Sequence, residues 1–157
     1  MNETLSGDEL RRRVKASPAR GTLVNAWASW CGPCKREFPM LHGLRSALEE
    51  KSIDLLFISV DSPESHAAAE IFFRENGENG PIYFAERPLG KFKKQMNPEW
   101  PGMLPATFLF DEQGELRFFW GGPAYEKELM PIIDGFLAGE QIDGSANFGL
   151  SPGKDLR

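Results

Sequence analysis

Apolar and polar positions change period several times along the chain, and each change marks an element. Leu5, Leu10 and Val14 sit at helical spacing around Ser6, with Glu9 three residues beyond it. This predicts a helix with Ser6 as N-cap, Glu9 completing a capping box and Leu5 stapled onto Leu10, running to about Ala16 and stopped by Ser17-Pro18. Thr22 to Ala28 is then a nearly unbroken apolar run with Asn25 inside it, the pattern of a strand buried on both faces of a mostly parallel sheet. Phe38, Leu41, Leu44 and Leu48 return to helical spacing, so one helix face is expected to pack on the sheet, with a kink where Pro39 removes a ladder hydrogen bond.

Asp54 to Asp61, centred on Leu55-Leu56-Phe57-Ile58, reads as a second buried strand. Ser62 and Pro63 suit the N-cap and first position of a helix that runs through Phe73 and ends at Asn76-Gly77. A short strand over Pro81 to Phe84 and a short helix over Leu89 to Met96 follow. The segment Asn97 to Met103 holds Pro98, Pro101 and Gly102, which forbid regular structure. Thr107 to Phe110 and Glu115 to Trp120 form a hairpin around Gly114, and Leu129, Ile132, Ile133, Phe136 and Leu137 give the cleanest helical stripe, with Pro131 early in it. From Glu140 the periodicity vanishes. The organisation expected is a capped helical extension over 1–20, one domain over 21–139 and an irregular tail over 140–157.

Composition narrows the function classes. The chain has 157 residues, 41% hydrophobic and 26% charged, which suits one core. A net charge of -5 supplies no basic stripe, so neither nucleic acid nor an anionic membrane surface is an expected partner. Arg11-Arg12-Arg13 reads as the solvated face of an amphipathic helix. No apolar run reaches a membrane span, and the first fifteen residues are charged, unlike a signal peptide.

The candidate chemistry lies in Trp30-Cys31-Gly32-Pro33-Cys34, at the junction of the first buried run and the following helix. There Cys31 meets unpaired backbone N–H groups and the positive end of a helix dipole, both of which favour thiolate. Cys31 is the expected attacking sulfur, and Cys34, inside the first helical turn, the resolving one. These are the chain's 2 cysteines, and it has 2 histidines, His42 and His66, so a tetrahedral metal site would need all four residues. No metal and no cofactor are expected.

The run Asn25 to Pro39, with Trp-Cys-Gly-Pro-Cys, Pro39 and the later Leu104-Pro105-Ala106-Thr107, resembles the thioredoxin-like superfamily and most of all its TlpA-like thiol:disulfide interchange branch, from about Gly21 to Gly139. The resemblance implies a thioredoxin fold, a three-layer α/β/α sandwich around a mixed sheet. It implies reduction of protein disulfides, with a thiol protein as electron donor and a monomeric chain. It also implies that Trp30, Gly32 and Pro33 border the substrate, and that a cis Pro105 presents the Leu104 backbone to it. Trp100, on the 97–103 loop, is expected to add an exposed apolar surface for another polypeptide. Thioredoxins proper carry an acid where Asn25 stands, so Glu37, at i+3 from Cys34, is either the proton acceptor for that cysteine or an exposed helix-terminal charge. A dithiol oxidase and a chaperone or metal-carrier module are the alternatives; Gly32-Pro33 disfavours the first and the scarcity of His and Cys the second. A peroxidase is disfavoured because Thr/Ser-x-x-Cys is absent. The resemblance favours an extracytoplasmic location, a native start at Met1 the cytoplasm.

Overall fold

The computed structural model describes residues 2–140; of the tail expected over 140–157, all but Glu140 lies outside the described residues. Its centre is a mixed six-stranded sheet ordered β1-β4-β3-β2-β5-β6, built from β1 (Asn2–Leu5), β2 (Gly21–Trp27), β3 (Ile53–Ser59), β4 (Ile82–Ala85), β5 (Ala106–Asp111) and β6 (Leu116–Gly121). The first four strands are mutually parallel where they pair, and β5 runs antiparallel to both β2 and β6. β2 is central and every residue in it is buried, as its apolar run requires.

The first strand was not legible in the sequence. Asn2 to Leu5 extends the sheet beside β4 in register Leu5↔Ala85, so residues 2–20 are tied into the main sheet through this strand as well as through the helix that follows. That helix, α1 (Gly7–Ala16), has the expected reciprocal capping box between Ser6 and Glu9. Its basic run is only partly a solvated face: Arg11 lies over the Phe110 ring at 5.1 Å, and Arg13 pairs with Glu3 beside Tyr83.

Period-two alternation along β2 and β5 assigns the helices to two layers. Asn25 and Thr107 pair across the strands on one face; Val24 and Phe108 pair on the other. On the first face α2 (Gly32–Gly43) and α4 (His66–Glu75) enclose an aromatic cluster of Trp27, Phe38, Phe57, Phe72 and Phe73. The expected run from Phe38 to Leu48 is divided at Leu44 into α2 and α3 (Arg45–Glu50), just after Gly43, a weak helix former. Leu44 still donates to Met40 and Leu41, so the interruption leaves Phe38, Leu41 and Leu48 on one buried face.

On the second face α1 packs with α5 (Leu89–Met96), and the loop after α5 lays Trp100 edge-on against Phe108 with ring centroids 5.1 Å apart. The expectation that Trp100 is exposed is therefore corrected. It is 4% exposed, and its indole N–H donates to the Met103 carbonyl at 3.0 Å. Proline and glycine deny this loop regular backbone but say nothing about where its side chains point, and burial of a large aromatic outweighs solvation. The hairpin turns at Gly114, whose φ of 79° is the left-handed conformation expected there. α6 (Glu126–Leu137) carries Pro131 and buries Leu129 and Ile133. Among the described residues, no helix is long and apolar enough to cross a membrane.

Candidate functional site

The C-terminal end of β2 delivers the chain to the dithiol. Ala28, Ser29, Trp30 and Cys31 form a tight turn closed by the Cys31 N–H to the Ala28 carbonyl at 3.1 Å, and Cys31 is the N-cap of α2. Gly32 and Pro33 occupy the first helical positions, where proline's missing N–H costs no hydrogen bond. Cys31 and Cys34 are joined as a disulfide with Cα atoms 5.3 Å apart.

Cys31 Sγ accepts from the Cys34 backbone N–H at 3.2 Å, so the sulfur takes the place that a Ser or Asp oxygen holds at other helix starts. A thiolate there gains from the same donor and from the helix dipole. Cys31 is 6% exposed and Cys34 1%. Trp30, next to Cys31 in the chain, is a large apolar residue left 65% exposed.

Glu37 is a buried group of this site and not an exposed helix-terminal charge. One carboxylate oxygen accepts from the Asn25 side-chain amide at 2.9 Å, and the other from the Ala124 backbone N–H at 2.6 Å. Burial raises its pKa from 4.5 to about 7, against the opposing pull of the Ala124 and Asn25 hydrogen bonds. Asn25 is held in turn by donation to the Thr107 hydroxyl at 3.3 Å. A groove of about 340 Å³ borders Glu37 and is lined also by Pro33, Arg36, Met40, Pro123, Ala124 and Tyr125.

Sequence reasoning did not find Ala124. It precedes Tyr125, the N-cap of α6, so its N–H lies outside both the sheet and the helix and is free to bond a side chain; the Gly121-Gly122-Pro123 break was the available signal.

The Leu104–Pro105 peptide is cis. Pro105 immediately precedes β5, whose first residue pairs with Ala26, and its carbonyl accepts from Gly122. It therefore lies at the end of the sheet where β2 gives way to the dithiol turn. Trp100 is not brought to this end as a surface group. The two histidines also lie apart from the dithiol: His42 Nδ1 contacts Glu78 at 2.6 Å, and His66 stacks on Phe84 at 3.6 Å.

The thiol-disulfide oxidoreductase ResA of Geobacillus kaustophilus is 29% identical over 125 residues, covering 80% of this chain and 67% of that protein. ResA of Bacillus anthracis is 28% identical over 103 residues, 66% of this chain but only 56% of the relative's length. The crystal structure of StoA from Bacillus subtilis superposes with a TM-score of 0.59 at 26% identity, covering 74% of this chain and 84% of StoA. A thioredoxin-related protein from Neisseria meningitidis, at 24% identity, shares the fold with a TM-score of 0.63 over 80% of this chain and 90% of its own. Residues 4–119 match the family described as AhpC/TSA, well over half of the sequence, and the chain belongs to that family, on the TlpA-like side of the thioredoxin-like superfamily.

Proposed function

We propose that the protein is a thiol:disulfide oxidoreductase that reduces protein disulfides. The observation that carries this reading is the Cys31–Cys34 disulfide at the start of α2, with the outer sulfur acting as helix cap and a buried carboxyl of raised pKa one turn beyond the inner one. In the reduced protein the Cys31 thiolate attacks one sulfur of a substrate disulfide. That S–S bond breaks, the first substrate thiolate leaves and takes a proton, and a mixed disulfide forms. Cys34 then gives its proton to Glu37 and attacks Cys31 Sγ, releasing the second substrate thiolate. Two electrons pass to the substrate, and a donor thiol protein restores the dithiol.

Trp30, Gly32, Pro33 and the backbone at Leu104 and Pro105 border the incoming segment in this reading, and Trp100 acts only by holding the loop. The groove beside Glu37 gives its proton a route to solvent. Ala28 stands three residues before Cys31, so the position from which a hydroxyl would assist a peroxidatic cysteine has none. The resemblance favours an extracytoplasmic site of action and a monomer.

Reduction of insulin disulfides with dithiothreitol as donor tests the assignment. Catalysed precipitation of the insulin B chain is expected, and a rate equal to that of dithiothreitol alone would contradict it. The Gly32-Pro33 spacer further sets the expected potential nearer about -270 mV than about -120 mV.

A further inference from the structure

Ser29 occupies the second position of the turn that ends in Cys31, and both of its hydrogen-bond donors are held by one distant residue. Asp61, just past the end of β3, accepts the Ser29 backbone N–H at 2.9 Å and the Ser29 hydroxyl at 2.6 Å. It also accepts the Ser59 hydroxyl at 2.6 Å, and that hydroxyl accepts the Asp61 N–H at 3.0 Å. Asp61 is 1% exposed.

A buried carboxylate is expensive to place. Joining β3 to β2 does not require it. The parallel ladder already spans both strands, and the Val60 N–H bonds to the Trp27 carbonyl at 2.8 Å. Beyond its local bonds to Ser59, what Asp61 adds is directed at Ser29, two positions before the nucleophile. The turn it grips closes on Cys31 and sets that residue's extended N-cap conformation, φ -99° and ψ 105°, from which Sγ receives the Cys34 N–H.

We propose that Asp61 is a positioning residue for the Cys31 thiolate. Acting through Ser29, it holds the 28–31 turn so that the attacking sulfur stays on the helix cap. The inference rests on Cys31 being the nucleophile, as argued above.

The substitutions Asp61→Ala, Asp61→Asn and Ser29→Ala test it. Asparagine can reproduce the pattern without charge: its oxygen accepts from the Ser29 N–H and the Ser59 hydroxyl while its amide donates to Ser29 Oγ. Each reduced variant is alkylated with iodoacetamide at pH 7, with Cys31 followed by mass spectrometry, and its dithiol is equilibrated against glutathione. Asp61→Ala is expected to slow Cys31 alkylation about three- to tenfold and to require a correspondingly larger excess of reduced glutathione for half reduction, because a cap that stabilises thiolate is loosened. Ser29→Ala, which removes one of the two holds, should fall about twofold, and Asp61→Asn should stay close to the parent.

Parent-like values for Asp61→Ala, or equal losses in Asp61→Ala and Asp61→Asn, would overturn the proposal, the second by making charge rather than turn geometry the cause. If Asp61→Ala does not fold by circular dichroism, Ser29→Ala decides, and a parent-like value there overturns it. Neither readout uses a protein substrate. Failure of insulin reduction by the parent would therefore count against the reductase reading and leave this inference standing.

Discussion

The Asn25 amide donates to the Glu37 carboxylate at 2.9 Å, linking the middle of the central strand to the second turn of the helix that carries both cysteines. A residue that cannot titrate thus holds one that can, inside the core, and stability should depend on pH as a result. Glu37 titrates near 4.5 when unfolded and about 7 when folded, so between these values the native state holds the extra proton. Its contribution to stability is complete below pH 4.5 and is lost as pH rises through 7, a swing of order 3 kcal/mol. Urea unfolding of the oxidised protein from pH 5 to 8 should show this decline. Glu37→Gln should remove that part of the slope, while a lost hydrogen bond to Asn25 or Ala124 costs about 1–3 kcal/mol throughout.

The same carboxyl sets an expectation for rate. Below its pKa Glu37 is protonated and cannot take the Cys34 proton, so the resolving step should accelerate as pH rises through about 7. Glu37→Gln should lose that inflection and run about tenfold slower at pH 8, less than a fully enclosed base would cost because the groove admits water. Stopped-flow measurement of disulfide exchange from pH 5 to 9 provides the check; superimposable profiles would assign the proton to water.

Trp100 belongs to stability. Its ring fills space against Phe108 and its N–H satisfies the Met103 carbonyl, so Trp100→Ala should destabilise by about 3–5 kcal/mol. Under conditions where the variant remains folded, its exchange rate with a small disulfide should match the parent's within about twofold. Denaturant titration beside a rate assay separates the two effects, and an unchanged midpoint would contradict the burial argument.

The elements with strong periodicity were legible in the sequence: Leu89–Met96 is helical over the expected residues, and the hairpin turns at Gly114. β1 escaped because a four-residue edge strand with one buried side chain, Leu5, has no alternation to detect. The dithiol was readable because helix capping is local chemistry. The partnership of Asp61 with Ser29 was not, since it joins residues 32 apart whose polar character suits a loop equally well. For Glu37 the sequence left two readings, and burial removes that of an exposed helix-terminal charge: a carboxylate on the sheet side of α2 is enclosed by Asn25 and Ala124, neither of which spacing could identify as a donor.

The division of labour between the sulfurs is the claim on which the mechanism depends. Cys31 holds the helix cap and Cys34 lies behind it, so removal of Cys34 should leave a competent nucleophile with nothing to resolve its product. Reduced Cys34→Ser and Cys31→Ser proteins are each mixed with a disulfide-bonded protein substrate, and the adducts are mapped by mass spectrometry. A stable mixed disulfide through Cys31 in Cys34→Ser, and none in Cys31→Ser, is the predicted result; an adduct through Cys34 in Cys31→Ser with none in Cys34→Ser would contradict it.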